Sequence, residues 1–133
     1  MVTKKAGSIL YNPETKLIGL VYRPRRNDIS FSKGHIEGNE TLEECAVRET
    51  VEETGRLCHI VKEIGINKYV TDKGEEVDCY MYLTFDDGKC MEESVDPEIC
   101  VWVDIDDVVE VLTYDNLKEV YMSVIDKIKE AVA

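Results

Sequence analysis

Two runs rich in apolar residues, Lys5 to Tyr11 and Leu17 to Arg23, flank Asn12-Pro13-Glu14-Thr15. Asn and Pro are turn formers, so the pattern predicts two strands joined by a turn. Arg23 to Lys33 is polar and contains a Pro, which predicts a loop. Thr41 opens a helix, because Thr41-x-x-Glu44 has the spacing of a capping box. Gly55 closes that helix, as glycine commonly does. Leu57 to Thr71 predicts a strand broken near Gly65, Asp72-Lys73-Gly74-Glu75 a hairpin turn, and Val77 to Phe85 the partner strand. Asp86-Asp87-Gly88-Lys89 predicts a further turn. Ile99 to Val103 predicts a short buried strand and Ile105 to Leu112 a short helix. In the last segment Leu117, Val120, Tyr121, Val124, Ile128 and Ala131 recur at helical spacing, predicting an amphipathic helix over Asn116 to Val132. Strands and helices in this order predict an α/β fold, with helices on both faces of a mixed sheet.

The 133 residues suit one domain. They are 44% hydrophobic and 33% charged, which suits a globular core. No segment reaches the length of a membrane span, and no secretory signal opens the chain, so the expected compartment is the cytoplasm. The five cysteines (Cys45, Cys58, Cys79, Cys90 and Cys100) follow neither a disulfide nor a zinc-ribbon spacing. Several lie in apolar runs, where a thiol packs as a small hydrophobe.

The net charge of −12 opposes binding of extended nucleic acid. One segment runs against that trend. Arg23, Arg25, Arg26, Lys33 and His35 come close together, followed at once by Glu37, Glu40, Glu43, Glu44, Glu49, Glu52 and Glu53. A cationic strip beside clustered carboxylates is the pairing that a small polyphosphate and a metal ion require. On a helix Glu49, Glu52 and Glu53 fall within a sector of roughly 100°. Like charges at that spacing repel. Apolar residues on more than one flank predict partial burial of this helix, and buried carboxylates need a compensating cation. A hard divalent ion bound through oxygen fits, with Mg²⁺ characteristically pairing carboxylates with substrate phosphates. Upstream, Gly34 and Gly38 permit close backbone approach, and Lys33 and His35 can donate to phosphate oxygens.

These residues resemble the Nudix hydrolase signature: Gly, five residues, Glu, seven residues, Arg-Glu, an apolar residue, one residue, Glu-Glu, one residue, Gly and an apolar residue. Here Gly34, Glu40, Arg48, Glu49, Glu52, Glu53 and Gly55 occupy the glycine and charged positions. Thr50 and Arg56 stand where apolar residues are usual, and Leu57 is expected to supply the packing that Arg56 does not. The resemblance implies an α/β/α sandwich in a single domain over 1–133, with the motif at 34–56. It further implies hydrolysis of a phosphoanhydride bond in a nucleoside diphosphate-linked substrate, with Mg²⁺ or Mn²⁺. Carried onto this chain, Glu49, Glu52 and Glu53 are the metal ligands, with the Lys33 carbonyl (or that of Gly34) as a further one. Arg48 orients the glutamates, and Gly34, Glu40 and Gly55 hold the loop–helix geometry. The general base is either a helix glutamate such as Glu49 or Glu52, or a later acid among Glu92, Glu93, Asp96 and Glu98, with Glu98 preferred.

Lys33-Gly34-His35-Ile36-Glu37 further resembles the diadenosine tetraphosphate hydrolase branch. This makes a dinucleoside polyphosphate the expected small-molecule partner. Arg23, Arg25, Lys33, Gly34 and His35 are the expected phosphate contacts, and Tyr69, Tyr80 and Tyr82 the base-stacking candidates. The alternatives are a nucleoside triphosphate or RNA 5′-end pyrophosphohydrolase, and a nucleotide sensor without catalysis. No membrane partner is expected, and monomer and homodimer both remain open.

Overall fold

The computed structural model describes residues 1–91 and 100–133. Among these residues seven strands form one mixed sheet: β1 (Val2–Asn12), β2 (Leu17–Arg23), β3 (Asp28–Ser30), β4 (Ser32–His35), β5 (Arg56–Val70), β6 (Glu76–Cys90) and β7 (Cys100–Asp104). Three helices accompany them: α1 (Leu42–Thr54), α2 (Val108–Val111) and α3 (Asp115–Val132), with a 3₁₀ turn at Ile105–Asp107 before α2. The main path through the sheet is β3-β2-β1-β6-β5, with β4 also paired to β1 and β7 to β2.

The central strand β1 sets the site. One edge of β1 is filled by β6, parallel, from Val2↔Glu76 to Tyr11↔Phe85. Its other edge is divided. Leu10 to Asn12 pair antiparallel with β2, while Lys5 to Ser8 pair antiparallel with β4. The segment expected to be a loop, Arg23 to Lys33, therefore contains β3 and the first half of β4. Its polar residues do not prevent pairing, because Asp28, Ser30 and Ser32 are buried against partners.

Side chains on neighbouring strand positions point to opposite faces. On β6, Val77, Cys79, Met81 and Leu83 join the larger core, together with Ile9 and Ile18 and with Leu117, Tyr121, Val124 and Ile128 of α3. Each of these buried helix side chains contributes about 1.5–3 kcal/mol relative to exposure. The other face carries a smaller cluster of Ala6, Tyr82, Cys45 and Ala46, which seats α1. Helices thus cover both faces, giving the expected α/β/α sandwich.

The expected turn at Asp86 to Lys89 is instead part of β6, which continues to Cys90. Asp86 is held by Asn12 at 2.8 Å and by Arg56 at 2.8 Å, and Gly88 takes a left-handed φ of 77°. Ion pairing and one glycine absorb the turn-forming residues without ending the strand. The strand expected to break near Gly65 is continuous, with a register irregularity between Glu63 and Gly65.

Candidate functional site

Helix α1 begins with the expected capping box. Thr41 Oγ1 accepts from the Glu44 amide at 3.1 Å, and Glu44 Oε1 accepts from the Thr41 amide at 3.0 Å. Gly55 ends it with φ 73°, a left-handed conformation that glycine adopts without strain. The helix is anchored from beneath by a row of hydroxyls. Thr50 Oγ1 donates to the Ala46 carbonyl at 2.7 Å and lies 2.6 Å from Ser8 Oγ, while Thr84 Oγ1 donates to Ser8 Oγ at 3.2 Å. A polar Thr at an ordinarily apolar position is thus matched by polar partners on β1 and β6. Arg56 likewise has a specific partner: its guanidinium binds the buried Asp86 and lies over the Trp102 ring. Leu57 beside it is half-buried, but among the described residues it is not one of those packed against either hydrophobic cluster.

Arg48 is the hub of the helix surface. It binds Glu40 through Nε at 2.7 Å and Nη2 at 2.9 Å, Glu49 at 2.7 Å, Glu52 at 3.2 Å, and the His35 carbonyl at 2.9 Å. The Arg48 bonds, with one from the Glu37 amide, hold the Glu40 carboxyl down to about 2. One guanidinium therefore fixes the loop before the helix and takes one oxygen each from Glu49 and Glu52. Gly34 sits directly against Glu49, and a Cβ at Gly34 would overlap all three atoms of that carboxylate.

Glu53 lies one turn beyond Glu49. Burial, and then the Glu49 charge, push its carboxyl up to about 7, against the pull of the Lys33 amide and ammonium and the Ser32 hydroxyl. Two carboxylates sharing a sheltered site without a cation behave in this way. A hard divalent ion would relieve their repulsion, so the donor chemistry fits Mg²⁺ or Mn²⁺. As arranged among the described residues, no three acidic, His or Cys side chains converge on one point. Arg48 draws Glu49 and Glu52 toward itself.

Two clefts meet at Glu53. The larger, about 690 Å³, is lined by Lys5, Arg23, Arg26, Phe31, Lys33, Gly34, His35, Glu53, Tyr69, Asp72, Tyr114 and Asn116, among others. Its size lies in the range of small-molecule sites. The smaller, about 530 Å³, is lined by Val21 to Arg26 with Glu52 and Glu53. Arg23, Arg26 and Glu53 belong to both.

The structure thus gathers Lys33, Gly34, His35, Arg23 and Tyr69 in one cleft. Arg25 lies in the neighbouring one. Tyr80 and Tyr82 are not with them: they face α1 on the opposite side of the sheet, packed with Ala6, Cys45 and Ala46. Strand alternation decides this, because odd positions of β6 face the cleft side and even positions face α1. Arg23 also differs from an open phosphate contact. Its Nε and Nη2 bind the buried Asp28 at 2.7 and 2.6 Å. Glu92, Glu93, Asp96 and Glu98 lie outside the described residues.

Lys5, Asp72, Tyr114 and Asn116 also line the cleft and had no signal in the local pattern. Lys5 arrives by the β1–β4 register, which sets it opposite His35. Its Nζ and that of Lys33 both lie over the Tyr69 ring, 5.9 and 5.8 Å from the centroid. Burial pushes the Lys33 ammonium down. The Tyr69 hydroxyl is buried without a hydrogen-bond partner among the described residues. Cys45, Cys58 and Cys79 are buried free thiols, pushed up to about 11, 12 and 11 respectively by that burial, and so are packing groups.

Residues 1–124 match the family model described as the NUDIX domain. The chain belongs to the Nudix family. It is 36% identical over 121 residues to the proposed mutator protein MutT4 of Mycobacterium tuberculosis, covering 85% of this chain and 48% of that protein. It is 26% identical over 114 residues to an 8-oxo-(d)GTP phosphatase of Mycolicibacterium smegmatis, covering 86% of this chain and 35% of that one. This Nudix chain spans less than half the length of these curated relatives. Among solved structures, the C. elegans Ap4A hydrolase superposes with a TM-score of 0.72 at 17% identity, covering 96% of this chain and 99% of that one, a likeness of fold. No helix of the described residues is long and apolar enough to cross a membrane.

Proposed function

We propose that this chain hydrolyses a phosphoanhydride bond of a nucleoside polyphosphate, using Mg²⁺ or Mn²⁺ held by Glu49, Glu52 and Glu53. The observation that carries the reading is the position of Glu53. It is sheltered, crowded by Glu49, and set at the junction of two clefts whose other walls are cationic. A divalent ion held by these glutamates would supply charge neutralisation and Lewis acidity. The protein supplies the rest. Arg48 fixes the Glu49 and Glu52 carboxylates, and Gly34 leaves room for Glu49. Burial and the Glu49 charge push the Glu53 carboxyl up to about 7, so a cation bound there would displace its proton to solvent and hold the carboxylate ionised. Lys5, Lys33 and Arg26 offset phosphate charge. Phosphoryl transfer depends mainly on such positioning and electrostatics.

The sequence relatives bear the names of a mutator protein and an 8-oxo-(d)GTP phosphatase, which favours a nucleoside triphosphate substrate. A dinucleoside polyphosphate is the second reading. It rests on Lys33-Gly34-His35 lying together at the cleft. The test is metal-dependent product release from canonical and oxidised nucleoside triphosphates, dinucleoside polyphosphates, ADP-ribose, NADH and 5′-triphosphate RNA, with Glu52→Gln as control. Turnover of an oxidised triphosphate at least tenfold above the dinucleotides supports the first reading, and the reverse order supports the second. Equal rates for wild type and control on every compound would leave only a nucleotide-binding role.

A further inference from the structure

Among the described residues, Arg23 is the wall residue common to both clefts whose geometry is fixed by a buried acid. Asp28 is 2% exposed and stands at the start of β3, paired opposite Arg23. Its two oxygens take Nε and Nη2 of Arg23 in a fork, and its Oδ2 also accepts from the Tyr114 hydroxyl at 2.5 Å. Tyr114 precedes α3, from a different part of the chain. That junction is tied to β3 twice more: the Ile29 amide donates to Thr113 Oγ1 at 2.8 Å, and the Thr113 amide donates to the Ile29 carbonyl at 3.2 Å.

A guanidinium carries five N–H donors. Asp28 takes two of them along one edge, which leaves three, including both on Nη1. An arginine held on one edge loses little further side-chain freedom when its other edge meets a phosphate. A buried carboxylate whose outer oxygen is also tied cannot swing with a mobile loop. We infer that Asp28 and Tyr114 are positioning residues that aim the open edge of Arg23 at a phosphate group of the substrate in the joined clefts. This rests on the proposal that a polyphosphate occupies those clefts. It assigns a role to two residues outside the signature motif. Tyr114 then couples the α3 end of the cleft wall to the phosphate end.

The test is calorimetric binding of inorganic tripolyphosphate to the full chain, in a cycle of Tyr114→Phe and Arg23→Lys. Lysine keeps the charge beside Asp28 but lacks the fork. Tyr114→Phe is expected to weaken binding about three- to tenfold, on the scale of a bond to a charged group partly transmitted. Arg23→Lys is expected to weaken it about tenfold. The double variant is expected to match Arg23→Lys within about twofold, because Tyr114 acts only through the fork. Asp28→Asn gives a second route, also weakening binding while the thermal midpoint stays above the assay temperature. A purely structural role for Tyr114 would lower the midpoint and leave affinity unchanged, which overturns the inference. So does a double variant weakened by the product of the single effects, and so does a wild type that fails to bind tripolyphosphate. The predicted cycle in a protein that hydrolyses no nucleotide upholds this inference and removes the proposed activity.

Discussion

Replacing Thr50 by the near-isosteric Val restores the residue type usual at that position of the motif, yet it should destabilise this protein. Each hydroxyl carries one proton. Thr50 gives its proton to the Ala46 carbonyl at 2.7 Å, so Ser8 must donate across the 2.6 Å contact to Thr50, and Thr84 donates to Ser8. All three residues are at most 2% exposed, so water does not replace a lost partner. Val removes the acceptor for Ser8. The remaining escape is for Ser8 to donate back to Thr84 while Thr84 turns to the Ile9 carbonyl, a longer contact of 3.4 Å. A buried donor left without a partner costs about 1–3 kcal/mol, and this partial escape places Thr50→Val at about 1–2 kcal/mol. At an unfolding entropy of about 2.1 cal/mol/K per residue, that lowers Tm by about 4–7 °C. The assay is urea unfolding monitored by circular dichroism, with a shifted midpoint at unchanged slope. Removing the row entirely, as Ser8→Ala/Thr50→Val/Thr84→Val, should recover most of the loss, because no donor then lacks an acceptor. A Thr50→Val protein as stable as wild type would refute the reasoning. So would a triple variant that loses the sum of the single costs.

Gly34→Ala should fold and lose activity by at least about a hundredfold, since its Cβ displaces the Glu49 carboxylate; full turnover would show that Glu49 is not needed where it stands. Arg25→Ala should raise KM severalfold with kcat within about twofold, and an unchanged KM would remove Arg25 from the site. Asp28 is held below the ordinary carboxylate range first by its bond to Arg23, then by Tyr114. Its folded pKa is thus the lower one. Its contribution to stability is present above the ordinary carboxylate pKa and disappears as pH falls through the folded value. The stability gap between wild type and Asp28→Asn should therefore be constant near neutrality and narrow below about pH 4, measured as denaturation midpoints against pH. A gap independent of pH would show that Asp28 is not ionised in the folded protein.

The motif-bearing part of the site was legible because it is local. Thr41, Glu44 and Gly55 carry cap chemistry within one helix, and Glu49, Glu52 and Glu53 follow from helical spacing. The helical face of α3 was legible for the same reason. What escaped depends on pairing between distant segments. The side of the sheet to which Tyr69 and Tyr80 project depends on strand register, so two similar tyrosines separate. Lys5 reaches the cleft only through its pairing opposite His35. Arg23 looked open because its partner Asp28 and the tyrosine that holds Asp28 come from β3 and from the residue before α3. Asp86 and Gly88 looked like a turn because Arg56, thirty positions away, was not visible as the partner.

The proposed activity depends most directly on Glu53 holding the metal. Calorimetric titration of Mn²⁺ into wild type and into Glu53→Gln, at matched fold stability, measures this. Wild type should bind Mn²⁺, and Glu53→Gln should bind at least about tenfold more weakly, with Arg25→Ala unchanged as the control. Equal Mn²⁺ affinity in wild type and Glu53→Gln would contradict the account and move the metal off this helix turn.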